Sequence, residues 1–245
     1  LDMCRWRREG WEAAGTGTFQ CDVTWSDAHI DYLVDSENLK RVQWNHIALT
    51  YDGATLQWYV NGAPGYSDGA SSKTLRTNTY LWFGDDNYVI NSNFDELRYA
   101  RAPKGAGWIA TEYANQNSPS TFVSRGSEEG STCGSMTVFS PCSWLFRRNI
   151  TINKAQVVGT QFDFPVLVSL TINKTAVQAN GEDIVFTNST GTKIPHEIQS
   201  YNSGTGLLTA WVKVPNVTST ANTTIYLYYG NPSSTNQQNR TGVWD

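Results

Sequence analysis

"WNHIALTYDGATLQWYVNG", Trp44–Gly62, decides the fold of this chain. Its apolar residues alternate in two runs, Trp44–Asp52 and Leu56–Asn61, which is the period of a strand and not of a helix. Between them Asp52-Gly53 supplies a turn, and Asn61-Gly62 supplies a second, because Asn and Gly tolerate positive φ. Alternation assigns Asn45, Ile47, Leu49 and Tyr51 to one face and Trp44, His46, Ala48 and Thr50 to the other. On the partner run Leu56, Trp58 and Val60 form an apolar face, with Gln57, Tyr59 and Asn61 opposite. Ile47, Leu49, Trp58 and Val60 therefore read as core. Trp44, Tyr59 and His46 are left facing outward, where an aromatic face could stack on a sugar ring.

The same period runs through the rest of the chain. Candidate strands are Phe19–Trp25, His29–Val34, Tyr80–Gly84 and Phe94–Tyr99, then Trp144–Ile152, Phe164–Thr171, Asp183–Thr187, His196–Tyr201, Leu208–Val214 and Thr224–Tyr229. One short helix is expected at Gly107–Asn115, where Trp108, Ile109, Ala110 and Tyr113 can share a face. Many short strands separated by turn signals predict an all-β chain of two β-sandwiches with jelly-roll character. The stretch "NQNSPSTFVSRGSEEGSTCGS" is rich in Ser, Gly and Asn and reads as a linker. The expected domains are residues 1–116, a linker over 117–143, and residues 144–245.

Composition narrows the function. Of 245 residues, 39% are hydrophobic and only 16% charged, against about a quarter in a typical domain, so Thr, Ser, Asn and Gly solvate the surface. A net charge of −4 provides no basic field for nucleic acid. No run approaches the ~18 apolar residues of a membrane span. Cys4 and Cys21 lie close together, as do Cys133 and Cys142. Nearest-neighbour pairing closes the shortest of the three possible connectivities, although four buried thiols would satisfy the same sequence. With no Cys-x-x-Cys and with His29, His46 and His196 far apart, disulfides in an extracellular protein fit better than zinc.

Two resemblances follow from particular residues. "WNHIALTYDG", "LQWYVNG", "LWFGDD" and "FDELRYARAPKGAGWIATEY" resemble, in order, successive strands of laminin-G-like modules of the concanavalin A-like lectin/glucanase jelly rolls. The strands that such modules place earlier are not found, so the first domain reads as lacking its first half. "WLFRRNITI", "FDFPVLVSL", "GEDIVFTNSTGTKIPHEI", "WVKVP" and "IYLYYGN" resemble a prokaryotic domain family of unknown function that accompanies laminin-G-like modules in surface proteins. The closing "GVWD" is where such proteins run on into a further module. The expected partners are therefore copies of the chain or adjacent modules of the same polypeptide, at the cell surface.

Four chemistries are then weighed. Retaining glycosidases need two carboxyls about 5–5.5 Å apart, whereas Asp85-Asp86, Asp95-Glu96 and Glu182-Asp183 are adjacent pairs that a strand sends to opposite faces. No catalysis is expected. The first resemblance implies calcium, and "GDDNYVINSNFDE" gathers Asp85, Asp86, Asn87 and Asp95, with Asn91 and Asn93, as hard oxygen ligands; the same residues could instead serve turn backbone. Trp44 and Tyr59 are the candidates for polysaccharide stacking, although a jelly-roll core would also absorb them. Six Asn-x-Ser/Thr sequons begin at Asn149, Asn173, Asn188, Asn216, Asn222 and Asn239, all in the second half, and mark candidate glycosylation sites. The leading expectation is a non-enzymatic unit of a surface filament, sheath or adhesin, and the alternative is a calcium-dependent lectin-like module.

Overall fold

The computed structural model describes residues 43–69, 73–74, 93–131 and 142–244, the backbone of Pro141, and the strand backbone at 3–7, 18–24 and 30–35. The chain separates into two compact units, Leu1–Ile109 and Ala110–Asp245.

Among the described residues the first unit holds two antiparallel three-stranded sheets. One joins β1 (Met3–Arg7), β2 (Thr18–Thr24) and β3 (Ile30–Asp35), the other β4 (Ile47–Tyr51), β5 (Thr55–Val60) and β6 (Ala63–Gly69). The β1–β2 register sets Cys4 opposite Cys21. Between β4 and β5, Ile47, Leu49 and Tyr51 face Val60, Trp58 and Leu56, as the alternation predicts. Leu56, Trp58 and Val60 are buried, but Ile47 is exposed and does not join the core. Two central residues with positive φ, Asn61 at 50° and Gly62 at 77°, close the β5–β6 hairpin; a side chain at Gly62 would have to bear that strain. The expected strand Phe94–Tyr99 is irregular, and Phe94, Leu97 and Tyr99 are exposed. Glu96 there has φ 56°, and a left-handed residue breaks the pleat that strand pairing requires. The expected strand Tyr80–Gly84 lies outside the described residues.

A helix, α1 (Ala106–Asn117), matches the expected position with one further turn. After it come α2 (Pro119–Phe122), β7 (Val123–Arg125) and β8 (Glu129–Gly130). The expected linker therefore contains two short strands, Val123–Arg125 and Glu129–Gly130. Both strands pair with β9 (Phe146–Ile152), which gives the Ser- and Gly-rich backbone a ladder. Arg147 also pairs with Glu129 at 2.6 Å, pinning the segment where composition alone suggested solvation.

The remaining strands of the second unit are β10 (Thr160–Thr171), β11 (Val185–Asn188), β12 (His196–Asn202), β13 (Leu207–Thr218) and β14 (Thr223–Tyr229); a short helix, α3 (Arg240–Val243), follows. They form a sheet ordered β10-β13-β12 and a second ordered β11-β14-β9-β7. Phe164, Val166, Val168 and Leu170 alternate inward from β10, and Leu208, Ala210, Val212 and Val214 from β13. Ile150, Ile152, Ile225, Leu227 and Tyr229 come from the other sheet, and all are nearly inaccessible. This is the sandwich core that period-two patterning predicts. Phe122 of α2 stacks on Phe164 with centroids 6.5 Å apart, extending the core under the helix.

Candidate functional site

The outward face of β4–β5 forms one side of an open cleft of about 330 Å³ lined by Thr50, Asp52, Thr55, Gln57, Tyr59, Pro103, Lys104 and Gly105. Strand parity places these residues here, because Thr50 and Gln57 are directly opposite and Tyr59 is two residues further along the same face. The polar groups are partly committed to the fold. Asp52 accepts hydrogen bonds from the amides of Ala54 and Thr55 at 2.9 and 2.7 Å, which close the turn. The Thr55 and Ala54 amides hold the Asp52 carboxyl below its usual range. The Gln57 amide group donates to the carbonyls of Gly65 and Tyr66, at the irregularity between β5 and β6. Lys104 lies over the Trp108 ring, 5.3 Å from its centroid. The lining thus offers hydroxyls, a carboxylate, an amide and one ammonium around a tyrosine edge, a set suited to a polyhydroxylated ligand.

The two aromatic candidates separate. Trp44 is 69% exposed, whereas Tyr59 is only 6% exposed, so Tyr59 points to the outward face yet is covered there. Trp44 is not among the cleft residues, and the structure does not bring the two together at this cleft. His46 is part of the hairpin lock. Its amide donates to Asn61 Oδ1 at 3.0 Å, and Asn61 Nδ2 donates to Asn45 Oδ1 at 3.1 Å. The cleft rim at Pro103–Gly105 was missed by sequence reasoning, since a turn between an irregular segment and a helix carries no periodic signal.

Of the calcium candidates, Asp85, Asp86 and Asn87, with Asn91, lie outside the described residues. Asp95 is exposed and accepts from the Glu96 amide at 2.9 Å. Among the described residues no three His, Cys, Asp or Glu side chains group in a way that could hold a metal ion. Cys142 is disulfide-bonded, and no cysteine is free among the described residues; Cys133 lies outside them.

In the second unit the buried polar groups serve the backbone. Asp183 is fully buried, and its carboxylate accepts from the amides of Gln178, Gly230 and Asn231 at 2.9, 2.9 and 3.0 Å. Its neighbour Glu182 is only half-buried, and both lie in the turn before β11, which starts at Val185 and not at the expected Asp183, so strand alternation does not apply to the pair. His196 is 1% exposed and packs against Phe186, and burial pushes its imidazole down to about 4.

The sheet edges are closed in the same manner. On edge strand β10 the Asn115 side chain imitates a strand, accepting from Leu167 N at 2.7 Å and donating to Leu167 O at 3.3 Å. On β12, at the other edge, Ile198 N donates to Gln238 Oε1 at 2.7 Å and His196 O accepts from Asn239 N at 3.0 Å. The return over 192–194 covers β11 through Asn188 N to Thr192 O and Ile194 N to Phe186 O. Trp244 closes the far side, its ring 5.5 Å from that of Trp211 and its indole donating to Glu197 at 2.7 Å.

The sequons occupy distinct environments. Asn149 is half-buried, and a Cβ at Gly126 would lie 1.6 Å from its Oδ1. Asn173 and Asn188 accept from the amides and hydroxyls of Thr175 and Thr190. Asn239 accepts from Gly242 N at the start of α3, and Asn222 from Lys154 N, both at 3.0 Å. Asn216 is exposed on β13.

Residues 7–110 match the family described as the concanavalin A-like lectin/glucanases superfamily, nearly the span of the first unit. This match takes in early residues, from 7 onward, where the sequence showed candidate strands but no resemblance to the earlier strands of such modules. Residues 180–245 match the domain of unknown function DUF2341, a shorter span than the expected 144–245. Neither a curated protein nor a solved structure matches the chain. The first match supports a carbohydrate-binding or structural module. Among the described residues no helix is long and apolar enough to cross a membrane.

Proposed function

From a chain that carries a concanavalin A-like lectin/glucanase module ahead of a DUF2341 region, we propose a non-enzymatic structural role at the cell surface, as one unit of a filament, sheath or adhesin. Modules of the first kind are commonly extracellular, which agrees with a surface role. The observation that carries the reading is the closure of the second unit. Open edges are templates for uncontrolled pairing; here amides from Asn115, Gln238 and Asn239 and the 192–194 return occupy three of them. Such a sandwich can be strung beside others without pairing by strand addition at those edges. Its buried Asp183 is taken up by backbone amides, and its buried His196 packs against Phe186. Immunogold labelling of source cells with an antibody to the second unit tests the role. Label along a surface structure, with the epitope on a covalent or tightly associated assembly, is expected. Label confined to the cell interior, or a free monomer of this chain, overturns it.

A second reading rests on the cleft. Its hydroxyls, Asp52, Gln57 and Lys104 beside Tyr59 form a shallow site for a polysaccharide, with calcium, if used, held by the Asp85–Asp95 segment. A glycan array with and without chelator separates the readings. Saturable binding lost on Thr50→Tyr, which fills the cleft, with the fold intact, favours the lectin; binding lost on Trp44→Ala moves the site to the hairpin's exposed end.

A further inference from the structure

We propose that Asn216, in the sequon Asn216-Val217-Thr218, carries an N-linked glycan whose first sugar stacks on Phe162. This goes beyond the structural role and does not depend on it. Phe162 is 67% exposed, an unusual place for a phenyl ring on a long strand whose next phenylalanine, Phe164, is fully buried. The inversion has a local cause. Asp163 between them has φ 49°, outside the pleat, and so both phenylalanines cannot follow one alternation. Across the ladder the same switch occurs, with Val214 and Val217 buried and Asn216 exposed between them.

The register then sets Phe162 directly opposite Asn216 and Thr160 opposite Thr218. Directly opposed residues share a face, with Cβ atoms about 4.5–5.5 Å apart. The acceptor amide, the sequon hydroxyl and an exposed aromatic ring are therefore presented together. The other sequons lack this arrangement: Asn149 is held against Gly126, and Asn173, Asn188, Asn222 and Asn239 use Oδ1 to accept from backbone amides, Asn222 from the distant Lys154. At Asn216 it is the main-chain carbonyl that accepts, from the Thr223 hydroxyl at 3.5 Å. A sugar on Asn216 would lay its C–H face over the ring and remove apolar area from water.

The transfer is a substitution at the anomeric carbon of a lipid-phosphate-linked oligosaccharide, catalysed by a membrane-bound transferase. A bond forms from Asn216 Nδ2 to that carbon, and the carbon–oxygen bond to the lipid phosphate breaks. The phosphate leaves with the electron pair, and one amide proton passes to a base of the transferase. Expression of the full chain through the secretory route of an N-glycosylating host, with glycopeptide mapping, tests the site. Asn216 is expected to be occupied, and Asn216→Gln to lower Tm by about 2–4 °C in that host but to leave it unchanged in a host that does not glycosylate. In a Phe162→Ala background Asn216 should stay occupied, and Asn216→Gln should no longer change Tm. An unoccupied Asn216, whether or not other sequons are modified, overturns the site. An occupied Asn216 whose removal leaves Tm unchanged, or changes it equally without Phe162, overturns the stacking.

Discussion

Asp183→Ala is the perturbation that most directly tests how the second unit is held together. The carboxylate is fully buried and takes three backbone amides, those of Gln178, Gly230 and Asn231, at 2.9–3.0 Å. These bonds tie the loop before β11 to the end of β14, and the Asp183 carbonyl adds a fourth tie by accepting from the Trp144 indole at 2.9 Å. Alanine keeps the backbone but strands three N–H groups where water has little access. Each stranded buried donor costs about 1–3 kcal/mol, so a total of about 3–9 kcal/mol is expected. That is a large share of the roughly 5–15 kcal/mol that stabilises a typical domain. At about 2–4 °C per kcal/mol, Tm of the second unit should fall by at least about 6 °C. Asp183→Asn sharpens the test. One oxygen can still accept, but its NH₂ must face an amide N–H, so a loss of about 2–4 kcal/mol is expected despite the matched shape. The assay is calorimetry of the full chain, following the transition that hydrogen exchange assigns to residues 144–244. An alanine variant melting within about 2 °C of the parent would refute the reasoning, because a loss below about 1 kcal/mol cannot come from three buried donors.

Three further outcomes follow from the same structure. His196 has a folded-state pKa near 4 against 6.5 in the unfolded chain, so the unfolded chain binds more protons between those values. Stability is then fully present above pH 6.5 and falls by up to about 3 kcal/mol as the pH drops toward 4; urea titrations at pH 4.5 and 7.5 measure this, and His196→Phe should flatten the difference. Asn115→Ala removes both hydrogen bonds to Leu167 and should cost about 1–2 kcal/mol, with faster exchange at the Leu167 amide while the amide of Val168 keeps its protection. Gly62→Val places a β-branched residue at φ 77° in the hairpin turn and should destabilise the first unit by about 1–3 kcal/mol, measured by chemical denaturation against Ala63→Val, whose host residue is exposed outside the turn.

Much of the architecture was legible because a sandwich writes its core as alternation. Leu49 opposite Trp58, the inward run Phe164–Leu170 and the turn at Asn61-Gly62 each rest on one residue and its near neighbours. Two pieces of the expected linker, Val123–Arg125 and Glu129–Gly130, form strands for the opposite reason. Ser, Gly and Glu have weak strand preference, and the edge of β9, the Arg147–Glu129 and Arg148–Glu128 pairs and the Tyr229 hydroxyl on Glu128 organise Val123–Gly130. Phe94–Tyr99 failed in reverse, since its strand-like residues find no ladder among the described residues.

The candidate sites divide along the same line. Residue types could mark sequons, acidic clusters and aromatics, because those are properties of the side chains. Which of them can act depends on residues far away in the chain. Tyr59 is covered while Trp44 is open, Asp183 is spent on amides from residues 178, 230 and 231, and Asn216 meets Phe162 only through the β10–β13 register. By itself the sequence determined the all-β class, the two modules and the inward faces, since strand period and turn chemistry are local. Tertiary structure alone decided which polar groups close the edges, which are buried and which remain for a partner, since burial and strand register are set by elements distant in sequence.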